Sequence, residues 1–368
     1  MPNLKKYPFY LRSTVILFGL ILFTYALANL REILVPLAFS LFLAMLLNPL
    51  NNRLVQWKIP KVLAISLSLV IALILIAGVW YFLATQMMHF SDQLPLLKKK
   101  SAQLLSLAQR WLAEDLKVPL EKQNQFIGEV QAGIKPLIGR TLGTVAGTLT
   151  TALLLPVYTF LFLYYKALIL NFIYEVFAEE NTQEVSTVLK QAKGAVQSYM
   201  FGLLIEALAV AALNTIALLL LGVPYAILLG VLGAILNVLP YIGGIIAIAL
   251  PIIIATMTKE GYQTQLLILI AYLIIQFIDN HFLVPYIVSS KVKINALISI
   301  LVVLMGGALW GVSGMFLSIP FIGVLKIIFD RIPELKPWGK LLGDEVPVRH
   351  RGQLRLRRPL KVVKDEDH

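Results

Sequence analysis

Long apolar runs, separated by short polar or basic stretches, make up most of the 368-residue chain. Four of these runs precede the middle of the sequence, at 13–30, 33–47, 62–85 and 142–165. Apolar runs of about 18 residues or more are typical of membrane-spanning helices. The pattern therefore predicts an all-α polytopic membrane protein.

Between 86 and 140 the composition changes to that of a soluble protein. Apolar residues recur there at intervals of three and four, once around Trp111 and again around Ile134, with a break at Pro119. The two stripes predict an external helical hairpin whose amphipathic helices pack on each other. A role of these stripes in binding a partner or the membrane surface is the alternative.

Two helix ends are predicted from polar residues. The second apolar run is expected to end at the cluster that begins with Asn48 and Pro49. The fourth run is expected to lead into a single cytoplasmic linker helix at 167–198. The acidic residues of that helix are interpreted as a solvated face, because they show no metal-site spacing.

The membrane part from 199 to 329 contains two units of similar plan. In each, an apolar helix with one buried acid, Glu206 or Asp279, is followed by a second apolar run that ends beyond a late proline. The distance from the acid to the start of the second run is 18 residues in one unit and 16 in the other. Weak repeats of this kind are common in secondary transporters.

The second run of each unit is too long for one straight span. At 1.5 Å per residue it would measure about 50 Å, against roughly 30 Å of hydrocarbon. We favour two broken re-entrant hairpins together with six transmembrane helices, which would make the units inverted copies. Eight full transmembrane helices are the alternative. The residues expected to break the runs are Pro240, Gly243, Gly244, Gly306, Gly307, Gly311 and Gly314.

Five polar residues inside the apolar units are candidates for binding a solute or an ion. Ionisable residues are costly in lipid and usually mark a pathway or a site. Asp279, Asn280 and Gln276 combine a charge with amide groups, and Asn237 adds an amide near the first break. Glu206 is a candidate proton carrier, with an ion pair near the interface as its structural alternative.

These patterns divide the chain into six parts. They are membrane helices 1–3 at 1–85, the external region at 86–140, membrane helix 4 and the linker helix at 141–198, repeat unit 1 at 199–261, repeat unit 2 at 262–330 and a basic tail at 331–368.

The amino-acid composition supports a membrane protein and argues against several classes of catalytic and metal-binding function. The chain is 58% hydrophobic and 14% charged, and its mean hydropathy is +0.81. It has no cysteine, its four histidines lack metal-ligand spacing, and it has no P-loop. We therefore predict no metal, no cofactor and no enzymatic activity.

The net charge of +12 is expected to reflect Lys and Arg residues that lie on the cytoplasmic side of the membrane. Cytoplasmic flanks of membrane proteins collect Lys and Arg, so both termini are predicted to be cytoplasmic. The basic tail lacks interleaved aromatic residues for base stacking. Anionic membrane lipid is thus the expected partner of the tail, and nucleic acid is not.

The segments 222–251 and 276–320 resemble the two signature segments of the autoinducer-2 exporter family of bacterial membrane proteins. The chain departs from that pattern in two places, since similar members often have a glycine where Ser289 stands and a proline near Asn295 or Ala296. The matching positions are Pro224, Gly230, Asn237, Pro240, Gly243, Pro251, Gln276, Asp279, Asn280, Pro285, Gly306, Gly307, Gly311, Gly314 and Pro320.

The resemblance implies a multi-pass transporter of the bacterial inner membrane, a homo-pentamer and an elevator-like motion. The first expectation for its cargo is a small hydrophilic solute of the autoinducer-2 type. Exchange of sodium or lithium for protons, carried by Asp279 and Glu206, is the second. A membrane scaffold without transport, organised through the external helices and the basic tail, is the third.

Overall fold

The computed structural model describes residues 8–91, 94–126, 128–129, 132, 153–177, 182–238, 242–288 and 294–344. Nearly all of these residues are helical, which confirms the predicted fold class. The helices in chain order are α1 (Phe9–Asn29), α2 (Arg31–Gln56), α3 (Lys61–Ser91), α4 (Leu94–Glu114), α5 (Leu153–Tyr164), α6 (Lys166–Phe177), α7 (Thr182–Leu220), α8 (Ala226–Asn237), α9 (Ile242–Thr258), α10 (Gln263–Ile278), a π-helix (Asp279–Val288), α11 (Ala296–Arg331) and α12 (Lys336–Leu342).

Five helices in the described part of the chain are long and apolar enough to cross a membrane. They are α2, α3, α7, α10 with most of the π-helix, and α11. Helices α5 and α6, which meet at a bend of 63°, form a sixth candidate. Apolar side chains of α1 and α3 are widely exposed, as expected for helices that face lipid.

Helix α11 folds back on itself in the middle. The helical backbone is interrupted at Trp310 and at Gly311, where φ is +62°. The Ser318 hydroxyl donates a hydrogen bond to the Val302 carbonyl at 2.8 Å. Residues 16 positions apart in a straight helix would be separated by about 24 Å. Helix α11 is therefore a helical hairpin with its tip at Trp310 and Gly311.

Helices α8 and α9 form another hairpin, which comes earlier in the chain. It is called the first hairpin below, and the hairpin within α11 is called the second hairpin. Gly233 lies opposite Ala247, so that a Cβ built on Gly233 would be 3.5 Å from the Ala247 Cβ. Gly243 lies against the carbonyl of Leu236 in the same way. The tip of this hairpin, including Pro240, is outside the described residues. Both overlong runs thus turn back, as the sequence favours.

Three groups of buried apolar residues hold these elements together. The first joins α7, α8, α9 and α10 through Leu218, Leu229, Ala255, Ile268 and others. The second joins α2, α3 and α5, and the third joins α2, α7 and α11. Helix α7 therefore packs against both hairpins, and α2 connects the hairpins to the N-terminal helices.

The predicted end of the second helix is wrong. Helix α2 continues through Asn48 and Pro49 to Gln56. Proline has no N–H group, so Pro49 leaves the carbonyl of Met45 without its helical partner. The Gln197 amide of α7 donates to this carbonyl at 2.5 Å, which compensates for the missing bond. Long-range packing thus stabilises a helix that local signals would stop.

The predicted linker helix at 167–198 is also wrong as one element. The structure divides it between α6, which ends at Phe177, and α7, which begins at Thr182. Helix α7 then continues without interruption to Leu220 and carries Glu206. Its charged N-terminal half and its apolar C-terminal half have the composition of two elements, which explains the error.

Only the first part of the predicted external hairpin is among the described residues. Helix α4 is followed by a second helical stretch that begins at Leu120. The Gln109 amide donates to Asn124 at 3.0 Å, and the Gln123 amide donates to the Gln109 carbonyl at 3.2 Å. Trp111 is exposed, so its stripe is only partly covered. Most of the second stripe, and the basic tail beyond 344, lie outside the described residues.

The hairpin topology predicts the sidedness of two exposed positions. We expect a cysteine at Tyr262, before α10, to be labelled by an impermeant maleimide from the outside of intact cells. A cysteine at Lys340, in α12, should react only after the membrane is opened. Both variants start from a cysteine-free chain. Labelling of both positions from the same side would contradict the topology.

Candidate functional site

One face of α7 is buried along five turns. The residues on this face are spaced by four, so that they lie above one another along the helix. Two of them are polar, Glu206 with 6% exposure and Asn214 with 2% exposure. The face consists of Gly202, Glu206, Val210, Asn214 and Leu218.

Asp279 lies where α10 changes into the π-helix, and its side chain is only 2% exposed. The Asn237 amide donates a hydrogen bond to the Asp279 Oδ2 atom at 2.8 Å. Asn237 is the last residue of α8, next to the tip of the first hairpin. A carboxyl group of the second unit is therefore held by the hairpin of the first.

A small pocket surrounds this contact. In the conformation described, it has room for about one water molecule. Its walls come from α7, from both arms of the first hairpin, and from α10 with the first residue of the π-helix. The lining residues are Val210, Asn214, Gly233, Asn237, Ala247, Tyr272, Ile275, Gln276 and Asp279.

Three buried oxygens of the pocket residues have no hydrogen-bond partner among the described residues. They are Asn214 Oδ1, the Tyr272 hydroxyl and Asp279 Oδ1. A buried polar atom without a partner costs about 1–3 kcal/mol. This cost is recovered if a ligand supplies hydroxyl donors or a positive charge, and both kinds of ligand fit this set of oxygens.

Two glycines allow the polar side chains to approach the first hairpin closely. A Cβ on Gly233 would lie 3.2 Å from the Asn214 amide nitrogen. A Cβ on Gly244 would lie 3.2 Å from Gln276 Oε1 and 3.7 Å from Asn237 Oδ1. Gly244 thus contributes space to the polar cluster, in addition to its predicted role in breaking the run.

The structure brings together three of the five predicted residues, namely Asp279, Asn237 and Gln276. Glu206 is buried on the same face of α7, about one turn before Val210, and is close enough to Asp279 for their charges to interact, but it does not line the pocket. Asn280 is exposed and lies outside the pocket.

The neighbouring histidine has contacts of its own. The exposed His281 ring stacks on Phe277 and contacts the Phe277 carbonyl at 3.0 Å. Within the described part of the chain, no three His, Cys, Asp or Glu residues are grouped so that they would hold a metal ion.

Sequence reasoning missed two polar residues of the pocket. Asn214 has a signal in the sequence, because it follows Glu206 by eight residues and so lies on the same helix face. Tyr272 has no such signal, since a tyrosine in an apolar helix is most often at a membrane interface. The glycines of the second hairpin, from Gly306 to Gly314, do not line the pocket. Gly306 and Gly314 lie against each other, Gly307 lies against Met315, and a Cβ on Gly311 would meet no atom within 4 Å.

A bundle of apolar helices with two hairpins and a polar pocket between its repeat units defines a multi-pass membrane transport protein. Comparison with known families agrees with this class. The sequence model of the AI-2E family of transporters matches residues 14–334. The chain belongs to this family.

Three curated relatives are similar over most of their length. AI-2 transport protein TqsA of Escherichia coli (strain K12) is 25% identical over 314 residues, which are 85% of this chain and 90% of that protein. YrrI of Bacillus subtilis (strain 168) is 25% identical over 308 residues, 81% of this chain and 86% of that protein. YhhT of Escherichia coli (strain K12) is 26% identical over 318 residues, 86% and 89% respectively. The last two are named as candidate transport proteins.

Proposed function

We propose that this protein exports a small hydrophilic solute of the autoinducer-2 type by alternating access. The observation that carries the proposal is the set of three buried oxygens around Asp279 that have no partner among the described residues. A polyhydroxylated solute would donate hydrogen bonds to these oxygens and accept bonds from the amides of Asn214, Asn237 and Gln276. The name of the relative TqsA supports this solute class.

Transport requires the pocket to open, because its present size excludes a solute larger than water. The contact between Asn237 and Asp279 would break as the tip of the first hairpin moves away. The hairpins and α10 would then move against a scaffold of α1, α2, α3 and α5, in an elevator-like motion. The pocket would face one side of the membrane before the step and the other side after it.

The proposed setting is the bacterial inner membrane, with both termini in the cytoplasm. The family resemblance supports a homo-pentamer. The exposed apolar surfaces of α1 and α3 are suited to lipid and to neighbouring subunits. In such an assembly each subunit would carry its own pocket, because every described wall of the pocket comes from one chain.

Exchange of sodium for protons is the second candidate function, and the size of the pocket favours it. A space for one water molecule also fits a dehydrated sodium ion. Oxygens of Asp279, Asn214 and Tyr272 would coordinate the ion, and Asp279 would take up a proton in the return step. Glu206, which interacts electrostatically with Asp279, would be the second proton-carrying group.

Flux measurements in proteoliposomes test these proposals. The purified protein is reconstituted, and movement of autoinducer-2 and sodium-driven proton movement are followed in parallel. Solute flux that does not need sodium supports the exporter, whereas sodium-dependent proton flux alone supports the antiporter. Absence of both fluxes in correctly oriented, folded protein would contradict transport and favour a scaffold organised by the external helices.

Replacement of Tyr272 by phenylalanine tests the pocket directly. The hydroxyl has no partner among the described residues, so its removal should not lower the thermal stability. We expect the concentration of solute for half-maximal transport to rise about fivefold to tenfold, the equivalent of one lost hydrogen bond of about 1–1.5 kcal/mol.

The matched control for this variant is Tyr262→Phe, at an exposed position, which should change neither transport nor stability. Unchanged half-saturation in Tyr272→Phe would exclude the hydroxyl from the binding site. A large loss of stability would show instead that the hydroxyl has a structural partner.

A further inference from the structure

Three lysines converge where α2, α3, α5 and α7 meet, away from the pocket. Lys61 begins α3, Lys166 begins α6 at the 63° bend, and Lys193 lies in the first half of α7. The Lys61 ammonium donates to the Tyr164 carbonyl at 2.7 Å and lies 5.1 Å from the centre of the Tyr164 ring. The Lys166 ammonium donates to Asn48 Oδ1 at 2.9 Å.

The positive charges of this cluster are not neutralised by a described carboxylate. Among the residues that the structure describes, the ion pair found joins Lys326 to Asp330, in α11. Lys166 is half-buried, and Lys193 and Lys61 place two more positive charges near it. Mutual repulsion of three ammonium groups is unfavourable unless an anion binds between them.

The protein uses only part of the hydrogen-bonding capacity of the cluster. An ammonium group has three donors, and Lys61 and Lys166 each donate one bond to the protein atoms named above. The anchors of these two bonds, a carbonyl at the end of α5 and a buried amide of α2, fix the positions of the ammonium groups. The remaining donors are suited to the oxygens of a phosphate group.

Apolar surface begins directly beside the cluster. In α6 the side chains of Leu168 and Phe172 are 64% and 60% exposed, and in α3 that of Leu63 is 59% exposed. The tyrosines at the α5–α6 bend are of the type that collects at the interface between hydrocarbon and water. An anion bound here therefore has its charged end at the lysines and an apolar surface leading away from them.

We propose that Lys61, Lys166 and Lys193 form a binding site for the phosphate of an anionic glycerophospholipid. The phosphate oxygens accept bonds from the three ammonium groups, and the acyl chains lie along the exposed apolar sides of α3 and α6. The lipid would connect α3, α6 and α7, and so hold the N-terminal scaffold against the helix that lines the transport pocket. The site does not depend on which solute is transported.

The test compares lipid binding by the full chain and by two triple variants. Purified protein in a neutral detergent is titrated with phosphatidylglycerol, and binding is followed by native mass spectrometry and by the thermal unfolding midpoint. We expect saturable binding and a rise of the midpoint for the natural sequence. In Lys61→Gln/Lys166→Gln/Lys193→Gln the apparent affinity should fall about tenfold or more, since each lysine near an anionic lipid contributes about one factor of five.

The control triple variant is Lys99→Gln/Lys122→Gln/Lys340→Gln, which removes the same charge from exposed lysines elsewhere and should bind like the natural protein. A triple arginine variant at the three site positions should also retain binding. If the triple glutamine variant does not fold, Lys61→Gln alone, at the exposed lysine of the site, is compared with Lys340→Gln, and only Lys61→Gln should weaken lipid binding. Equal loss in both glutamine variants would overturn the site. Equal stabilisation by glycerol 3-phosphate, or by phosphatidylcholine, would overturn the assignment to an anionic lipid.

Discussion

Replacement of Asp279 by asparagine is expected to abolish most of the transport without unfolding the protein. Asparagine has nearly the same shape, and its Oδ1 atom can still accept the bond from the Asn237 amide. The negative charge is lost, however, and with it the strongest acceptor of the pocket. A hydrogen bond to a charged group contributes about 1.5–3 kcal/mol, so the initial flux should fall roughly tenfold to a hundredfold.

The thermal unfolding midpoint of Asp279→Asn should stay the same or rise, because burial of a carboxylate is itself unfavourable. Asp115→Asn is the matched control, since it makes the same chemical change at an exposed position in the external region. Its flux should equal that of the natural protein. A folded Asp279→Asn protein with normal flux of every tested solute and ion would remove Asp279 from the mechanism.

The fold could be predicted from the sequence wherever a single physical constraint determined the structure. A run of 33 or more apolar residues cannot lie straight in about 30 Å of hydrocarbon, so each run must tilt, break or turn back. The glycines around positions 243 and 311 favoured turns at these places. Asp279 could be predicted as a site residue for a similar reason, because a carboxyl group in an apolar membrane helix is costly and usually marks a binding site or a pathway.

Other features depend on contacts between residues far apart in the chain. Pro49 would end an isolated helix, and only the bond from Gln197 to the Met45 carbonyl shows why α2 continues. The π-helix from Asp279 to Val288 was not predicted either. The exposure of Asn280 and His281 beside a buried acid needs no such element, because successive residues of a helix are rotated by about 100° and point to different faces.

The composition of the pocket shows the same division between local and long-range information. The spacing of Glu206 and Asn214 on one helix face can be read from the sequence. The approach of Asn214, Tyr272 and Asp279 from two units cannot, since it depends on how the first hairpin packs between α7 and α10. The repeat indicates that two units form a pathway, but not which side chains of each unit meet.

The other large effect is expected from a substitution in the second hairpin, because the two arms of this hairpin pack closely at glycines. A Cβ on Gly306 would lie 2.5 Å from the carbonyl oxygen of Gly314, in the opposite arm. Two atoms cannot approach so closely, and the contact is with backbone, which cannot rotate away. We expect Gly306→Ala to separate the arms and to destabilise the protein by about 1–3 kcal/mol. The measurement is the thermal unfolding midpoint in detergent, together with flux in proteoliposomes.

Gly78→Ala is the matched control, because a Cβ on Gly78 of α3 meets no atom within 4 Å. The same substitution should therefore leave both the midpoint and the flux unchanged at this position. Leu317 of the hairpin is buried in one cluster with Phe42 of α2 and Val196 of α7, so separated arms should reduce flux even though none of their glycines line the pocket. A Gly306→Ala protein with an unchanged midpoint and normal flux would contradict the close packing of the arms. Loss of flux at an unchanged midpoint would instead assign the glycine to the transport movement.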